Sequence, residues 1–207
     1  MTDFESRRAT LERQLGRFPR AELAHTPTPL EPMANLSAAL GGPALWVKRD
    51  DCTGLAFGGN KVRQLEYYFG AAQAAQANTV LITGAVQSNY VRMAAAAARK
   101  LAMTCHIQLE DRVANDAAAY QTSGNVLLDR VLGATLSRYP DGEDEAGADA
   151  ELRRIAEDLR RDGRHPYIIP LGPGAEPLGA LGYVRAAIEL AEQCRERHLE
   201  VGEIFVA

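Results

Sequence analysis

Lys61 directly follows a glycine turn, Gly58-Gly59-Asn60, and opens a segment with apolar residues at helical spacing: Leu65, Tyr68, Phe69 and Ala72. A lysine there suits Schiff-base chemistry, because its amine is the group to which carbonyl cofactors attach. The glycines let backbone come close to a ligand. The positive end of a helix favours a neutral amine over an ammonium and also favours bound anions. The same tetrapeptide, taken alone, is more often just the start of a helix with a solvated surface lysine. A second group adds weight. Gln87-Ser88-Asn89 follows an apolar stretch and Gly84, and it opens an alanine-rich segment. Read structurally, Ser88 or Asn89 caps a helix. Read functionally, the free N–H groups and the Ser88 hydroxyl hold a carboxylate, with Gln87 beside them. The Asn89 side chain can bond to a ring hydroxyl of a cofactor. One loop then offers the nucleophile, with Asn60 next to it, and the next loop offers the cradle.

The elements that must position these loops alternate. Residues 17–44 carry Pro19, Pro27, Pro29 and many small residues, and read as an extended lead-in. Leu45-Trp46-Val47-Lys48 reads as a short strand. A polar loop with three glycines leads to Lys61 and its helix. Strands follow at Thr79–Thr83, Cys105–Leu109, about 134–139 and Tyr167–Ile169. Helices are expected over Ser88–Leu101, around 125–131, through Leu152, Ile155, Ala156 and Leu159, and over Leu181–Arg195. Residues 141–150, with five acids, read as a solvated connection. Alternation of this kind implies an α/β fold built from parallel βαβ units. Ligands of such sheets sit at the carboxyl ends of strands, in loops that enter helices. Both candidate loops lie there. Ile204-Phe205-Val206-Ala207 reads as the start of a buried strand, so the chain is expected to be part of a longer one.

Composition narrows the function classes. The 207 residues carry a net charge of -4, without the basic stripe of a nucleic-acid binder. No apolar run is long enough to cross a bilayer, and the charged N-terminus lacks a secretory apolar stretch. Cys52, Cys105 and Cys194 are widely spaced and odd in number, which fits reduced thiols in a cytoplasmic protein and argues against a structural metal site. The spacing of a P-loop is absent, and so is a GxGxxG turn. Arg92, on the helix after Ser88, reads as a solvated arginine, with support of an anionic substrate as the alternative. His25, His106, His165 and His198 read as ordinary packed or exposed side chains. Arg153-Arg154 and Arg160-Arg161, interleaved with acids, read as a mixed solvated helix face.

Several motifs occur together and in order. They are Pro27-Thr28-Pro29-Leu30, Lys48-Arg49-Asp50-Asp51, Gly58-Gly59-Asn60-Lys61 with Leu65-Glu66, and Gly84-Ala85-Val86-Gln87-Ser88-Asn89. Gly124-Asn125-Val126-Leu127-Leu128 and Leu178-Gly179-Ala180-Leu181-Gly182-Tyr183-Val184 follow. In these the chain resembles the pyridoxal-phosphate-dependent family of D-cysteine desulfhydrase, L-cysteate sulfo-lyase and 1-aminocyclopropane-1-carboxylate deaminase. The resemblance implies the fold type II architecture of the tryptophan synthase β-subunit group. That architecture has two three-layer α/β domains with largely parallel sheets and the cofactor between them. It implies residues 1–57 in the larger domain, 58–165 as the smaller domain and 166–207 as a return into the larger one, which is then incomplete. It implies that Lys61 carries pyridoxal 5'-phosphate, that Asn89 meets the cofactor's ring oxygen, and that Ser88 with its neighbours receives a small amino-acid substrate. A β-eliminating lyase acting on D-cysteine is expected, with L-cysteate or 1-aminocyclopropane-1-carboxylate as alternative substrates and a homodimer as the assembly. A racemase on the same fold and a non-catalytic remnant remain open. The sequence departs from the family at Tyr90, where histidine is usual, at Gln64 after Arg63, and at Leu171-Gly172-Pro173-Gly174. The family's phosphate-cradling loop, pyridine-nitrogen partner and substrate tyrosine correspond to positions beyond Ala207.

Overall fold

A computed structural model describes residues 3–171 and 175–206. The altered glycine-rich loop at residues 172–174 therefore lies outside the described residues. At the centre is strand β3 (Thr79–Ala85), an apolar, β-branched run buried along nearly its whole length. It pairs in parallel with β4 (Thr104–Glu110) and β6 (Pro166–Ile168), and β4 pairs in parallel with β5 (Thr135–Tyr139). The strand order is β5-β4-β3-β6. The connections are helical: α4 (Asn89–Lys100) joins β3 to β4, α5 (Ala118–Thr122) and α6 (Gly124–Val131) join β4 to β5, and α7 (Glu145–Arg161) joins β5 to β6.

Alternation along β3 decides which layer each residue joins. Val80 and Ile82 point into the main core with α4 and with α3 (Lys61–Ala74), whereas Leu81 points to the other face, against Leu152 and Ala156 of α7. The sheet is thus covered on both faces, as a parallel sheet requires. Each fully buried leucine or isoleucine here contributes about 1.5–3 kcal/mol. The run Ala94–Ala98 on α4 is buried throughout, so small side chains let this helix lie close against the sheet. β6 forms the other edge of this sheet.

A second cluster ties the chain's ends to α3. Strands β1 (Leu30–Pro32) and β2 (Trp46–Lys48) form an antiparallel pair. Buried Arg63 on α3 donates to Asp50 at 2.8 and 2.9 Å and to Glu189 at 3.1 Å. Glu189 lies on α8 (Ala180–Glu196) and also receives Lys48 and the Thr28 backbone N–H. Lys48 donates to Gln193 as well, at 2.7 Å. Hydrogen bonds to Arg63 and Lys48 hold the Glu189 carboxyl below its ordinary range against the opposing effect of burial.

Three expectations need correction. The lead-in is not extended throughout: α2 (Ala34–Leu40) forms between Pro32 and Gly41, where the chain is free of proline and ends in a left-handed glycine cap at φ 61°. A further helix, α1 (Asp3–Leu15), has one buried residue, so it carried no apolar period to read. The acidic stretch 141–150 is half helix. Asp144 caps α7 by accepting the Gly147 N–H at 2.9 Å, and acids suit a first turn. Residues 203–206 do not form the expected strand. Ile204, Phe205 and Val206 are exposed and pair with nothing among the described residues. A strand exists only by pairing, however apolar its sequence. The interleaved charges of α7 behave as read, in ion pairs such as Arg154–Glu151 at 2.8 Å.

Candidate active site

The loop before Lys61 is held by local strain and by one buried hydroxyl. Ala56 and Phe57 both take left-handed conformations, at φ 45° and 73°. Such residues cost of order 1–3 kcal/mol each and persist only where surroundings fix them. Thr53 fixes this loop. Its Oγ1 donates to the Gly59 carbonyl at 2.9 Å and accepts the Gly59 N–H at 2.8 Å. Gly58 and Gly59 cannot be other residues in this backbone. A Cβ on Gly58 would lie 1.8 Å from the Asp51 carbonyl oxygen, and one on Gly59 would lie 2.5 Å from Met93 Cε on α4. That second contact also shows that the lysine turn packs directly on the helix that Ser88 caps.

Lys61 is the first residue of α3 and is half-buried. The chain has three lysines. Lys48 is held in the Arg63 cluster, and Lys100 donates to the Glu22 carbonyl at 3.2 Å. Among the described residues the Lys61 amine has no hydrogen-bond or ion-pair partner. Asn60 sits beside it, close to the Tyr183 hydroxyl. That hydroxyl in turn donates to Asp50 at 3.3 Å.

The second loop opens α4. Ser88 is extended, at φ -69° and ψ 125°, and its Oγ accepts the Tyr90 N–H at 3.2 Å. It is therefore an N-cap, and the helix start leaves backbone donors facing outward. Asn89 is exposed. Gln87 is turned the other way. Its amide donates to the Tyr120 and Ser123 carbonyls at 2.6 and 3.0 Å, and its Oε1 accepts the Asn125 N–H at 2.9 Å. The Gln87 side chain thus braces the loop between α5 and α6. Asn125 also donates from Nδ2 to the Gln87 carbonyl at 2.7 Å and to Asn89 Oδ1 at 3.0 Å. Gly124 stands at φ 57°, and a Cβ there would meet Gln87 Oε1 at 2.6 Å.

Arg92 is not the solvated arginine expected. It is 8% exposed, with its guanidinium 5.8 Å from the centre of the exposed Phe57 ring. Among the described residues its Nε has no partner, and neither has either carboxylate oxygen of Asp129, a wholly buried side chain on α6. Burial pushes the Asp129 carboxyl up to about 7, against the opposing pull of Arg92. Burial also pushes the neighbouring Cys105 thiol up to about 12. Tyr90, whose phenol burial pushes well up, packs at the edge of the core near Tyr68 and Tyr167. Thr53, Asn125 and Asp129 were not singled out as site residues in the sequence. The Gly124-Asn125 pair was the available signal for one of them.

Residues 21–207 match the family model described as "Pyridoxal-phosphate dependent enzyme". The chain belongs to that family. It is 43% identical over 182 residues to a D-cysteine desulfhydrase of Salmonella paratyphi B (strain ATCC BAA-1250 / SPB7), covering 88% of this chain and 54% of the relative. A D-cysteine desulfhydrase of Salmonella newport (strain SL254) matches equally. The chain thus spans about half the length of the curated relatives it matches. Among solved structures, an ACC deaminase homologue superposes with a TM-score of 0.77 at 40% identity, covering 88% of this chain and 53% of that one. The apo diaminopropionate ammonia lyase of Escherichia coli shares the fold, with a TM-score of 0.60 at 21% identity over 95% of this chain and 55% of that one. The fold is the type II architecture of pyridoxal-phosphate enzymes, and the family's cofactor is pyridoxal phosphate. The residues present fit that group in three respects: an amine without a partner, a glycine-bounded loop packed on α4, and an exposed amide beside a helix N-terminus.

Proposed function

We propose that this chain carries the lysine-bearing part of a pyridoxal-phosphate-dependent lyase that degrades D-cysteine to pyruvate, hydrogen sulfide and ammonia. The observation that carries the reading is Lys61. It is the uncommitted lysine among the described residues, and its loop packs on the helix that Ser88 caps, in a chain 43% identical to D-cysteine desulfhydrases. Bound there, pyridoxal phosphate supplies an electron sink for the substrate's α-carbon. Lys61 would hold the cofactor through Nζ, and its free amine would accept the substrate's α-proton. The Ser88 hydroxyl and the first N–H groups of α4 receive the substrate carboxylate. Asn89 donates to the cofactor's ring oxygen, Asn60 stands beside the lysine, and Gln87 supports substrate binding by bracing the loop. As the α-proton moves to Lys61, the Cβ–S bond breaks with its electrons on sulfur. Water converts the remaining three-carbon enamine to pyruvate and ammonia.

The 40% identity to an ACC deaminase homologue favours ring opening of 1-aminocyclopropane-1-carboxylate as a second reading. L-Cysteate, giving sulfite, is the third substrate to test. We place residues 58–165, with the edge strand β6, in the small domain, residues 1–57 and the remainder of the return 166–207 in the large one, and the working protein in the cytoplasm as a homodimer. Among the described residues no helix is long and apolar enough to cross a membrane. The test is to load the chain with pyridoxal phosphate, offer each amino acid, and measure sulfide, sulfite and ammonia. Sulfide from D-cysteine, absent in Lys61→Ala, is expected. A chain that carries the cofactor on Lys61 yet releases none of these products is not a lyase of this kind.

A further inference from the structure

We propose that Asn125 is a positioning residue that fixes which end of the Asn89 side-chain amide faces the cofactor. The inference rests on the reading of Asn89 as a donor to the cofactor's ring oxygen. An asparagine amide has two near-identical ends, an acceptor and a double donor, and only its hydrogen-bond partners decide between them. Asn89 is exposed at the start of α4, and among the described residues the partner of its amide is Asn125 Nδ2, at 3.0 Å from Oδ1.

Asn125 can itself be assigned without ambiguity. Its Nδ2 lies 2.7 Å from the backbone carbonyl oxygen of Gln87, an atom that can only accept. The end of Asn125 that faces Gln87 is therefore its NH2 group, and the second hydrogen of that group points at Asn89. The end of Asn89 that faces Asn125 must then be the oxygen, since an NH2 group there would set donor against donor. What Asn89 presents outward is its own NH2 group, a pure donor.

The relay is built into the backbone at both ends. The Asn125 N–H donates to Gln87 Oε1 at 2.9 Å, and the Gln87 amide nitrogen reaches the Tyr120 and Ser123 carbonyls. Gly124, at φ 57°, leaves the space that Gln87 Oε1 fills. Asn125 therefore enters α6 in one orientation. A donor suits a ring oxygen that carries negative charge, because a hydrogen bond to the charged form favours that form. The flipped amide would present an acceptor to the same oxygen and repel it.

The test uses the 15N-labelled chain, with and without added pyridoxal phosphate, and two near-isosteric variants. In the free chain, the Asn125 side-chain NH2 should be slow to exchange with water and the Asn89 NH2 fast. Asn125→Asp removes both donors, so Asn89 should turn its NH2 inward and become slow to exchange. Asn89→Asp keeps an acceptor for Asn125 but replaces the outward donor. Both variants should stay folded and weaken cofactor binding, read from the visible band, by about tenfold or more, the scale of one lost hydrogen bond to a charged group. Fast exchange at Asn125 with slow exchange at Asn89 in the unaltered chain overturns the assignment. A folded Asn125→Asp chain that binds the cofactor within about twofold of normal, with its band unmoved, reduces Asn125 to a structural role. If the unaltered chain shows no band that depends on Lys61, the cofactor reading fails, and the exchange pattern still decides the amide orientation.

Discussion

Asp129→Asn should change how the stability of this protein depends on pH. Asp129 is wholly buried on α6, and among the described residues neither of its carboxylate oxygens has a partner. Its carboxyl rises from 3.8 to about 7 in the fold. The folded state therefore holds a proton that the unfolded chain releases, and the resulting stability is fully present below about pH 4 and is lost as pH rises through about 7. Between pH 5 and pH 8 the two values correspond to a loss of about 2–3 kcal/mol at this one side chain. Asparagine cannot titrate. It leaves buried amide donors without partners, at a cost of about 1–3 kcal/mol that is the same at every pH. Urea unfolding of both proteins from pH 5 to pH 8 separates the two effects, because all other titrating groups cancel in the difference. The variant should be the less stable at pH 5 and gain about 2–3 kcal/mol on the parent by pH 8. Parallel curves would show that Asp129 is paired or hydrated in the fold and that its orphaned oxygens do not exist in solution.

Other substitutions probe the scaffold of the site. Gly59→Ala forces a side chain into a φ of 125° and against Met93. It should destabilise the chain by about 2 kcal/mol or more in urea unfolding and also weaken cofactor uptake, since it displaces the turn before Lys61. Arg63→Ala leaves the Asp50 and Glu189 carboxylates without their shared partner. A loss of about 3–5 kcal/mol is expected by the same assay, and a loss under about 1 kcal/mol would mean the cluster is solvated. Ser88→Ala removes the cap of α4, at about 1 kcal/mol of stability. In a loaded enzyme it should raise KM for the amino acid more than it lowers kcat, and an unchanged KM would take the carboxylate away from Ser88.

How legible the molecule is from its sequence follows from the range of the interactions. β3 and β4 are apolar runs of strand length, and α4 is dominated by alanine, so local pattern alone places the three-layer sheet. Lys61 and Ser88 stand out because glycines and a cap residue mark the turns they occupy. Asn125 does not, since its meaning lies in a contact with Asn89 that is 36 residues away. Arg63 and Glu189 are 126 residues apart, and no local pattern couples them. Arg92 reads as solvated because it shares a polar helix face with Asn89 and Arg99, and only the tertiary fold brings Phe57 and Asp129 against that face. The apolar run at 204–206 shows the opposite failure, in which local pattern suggests a strand and, among the described residues, no neighbouring edge pairs with it.

The most direct measurement of the central claim is to trap the cofactor where it attaches. The chain is mixed with pyridoxal phosphate, reduced with borohydride, digested and mapped by mass spectrometry. With three lysines in the sequence, and Lys48 and Lys100 already engaged, the adduct should fall on the peptide containing Lys61 and vanish in Lys61→Ala. An adduct spread evenly over the three lysines, or absent from Lys61 in a folded chain, would contradict the account.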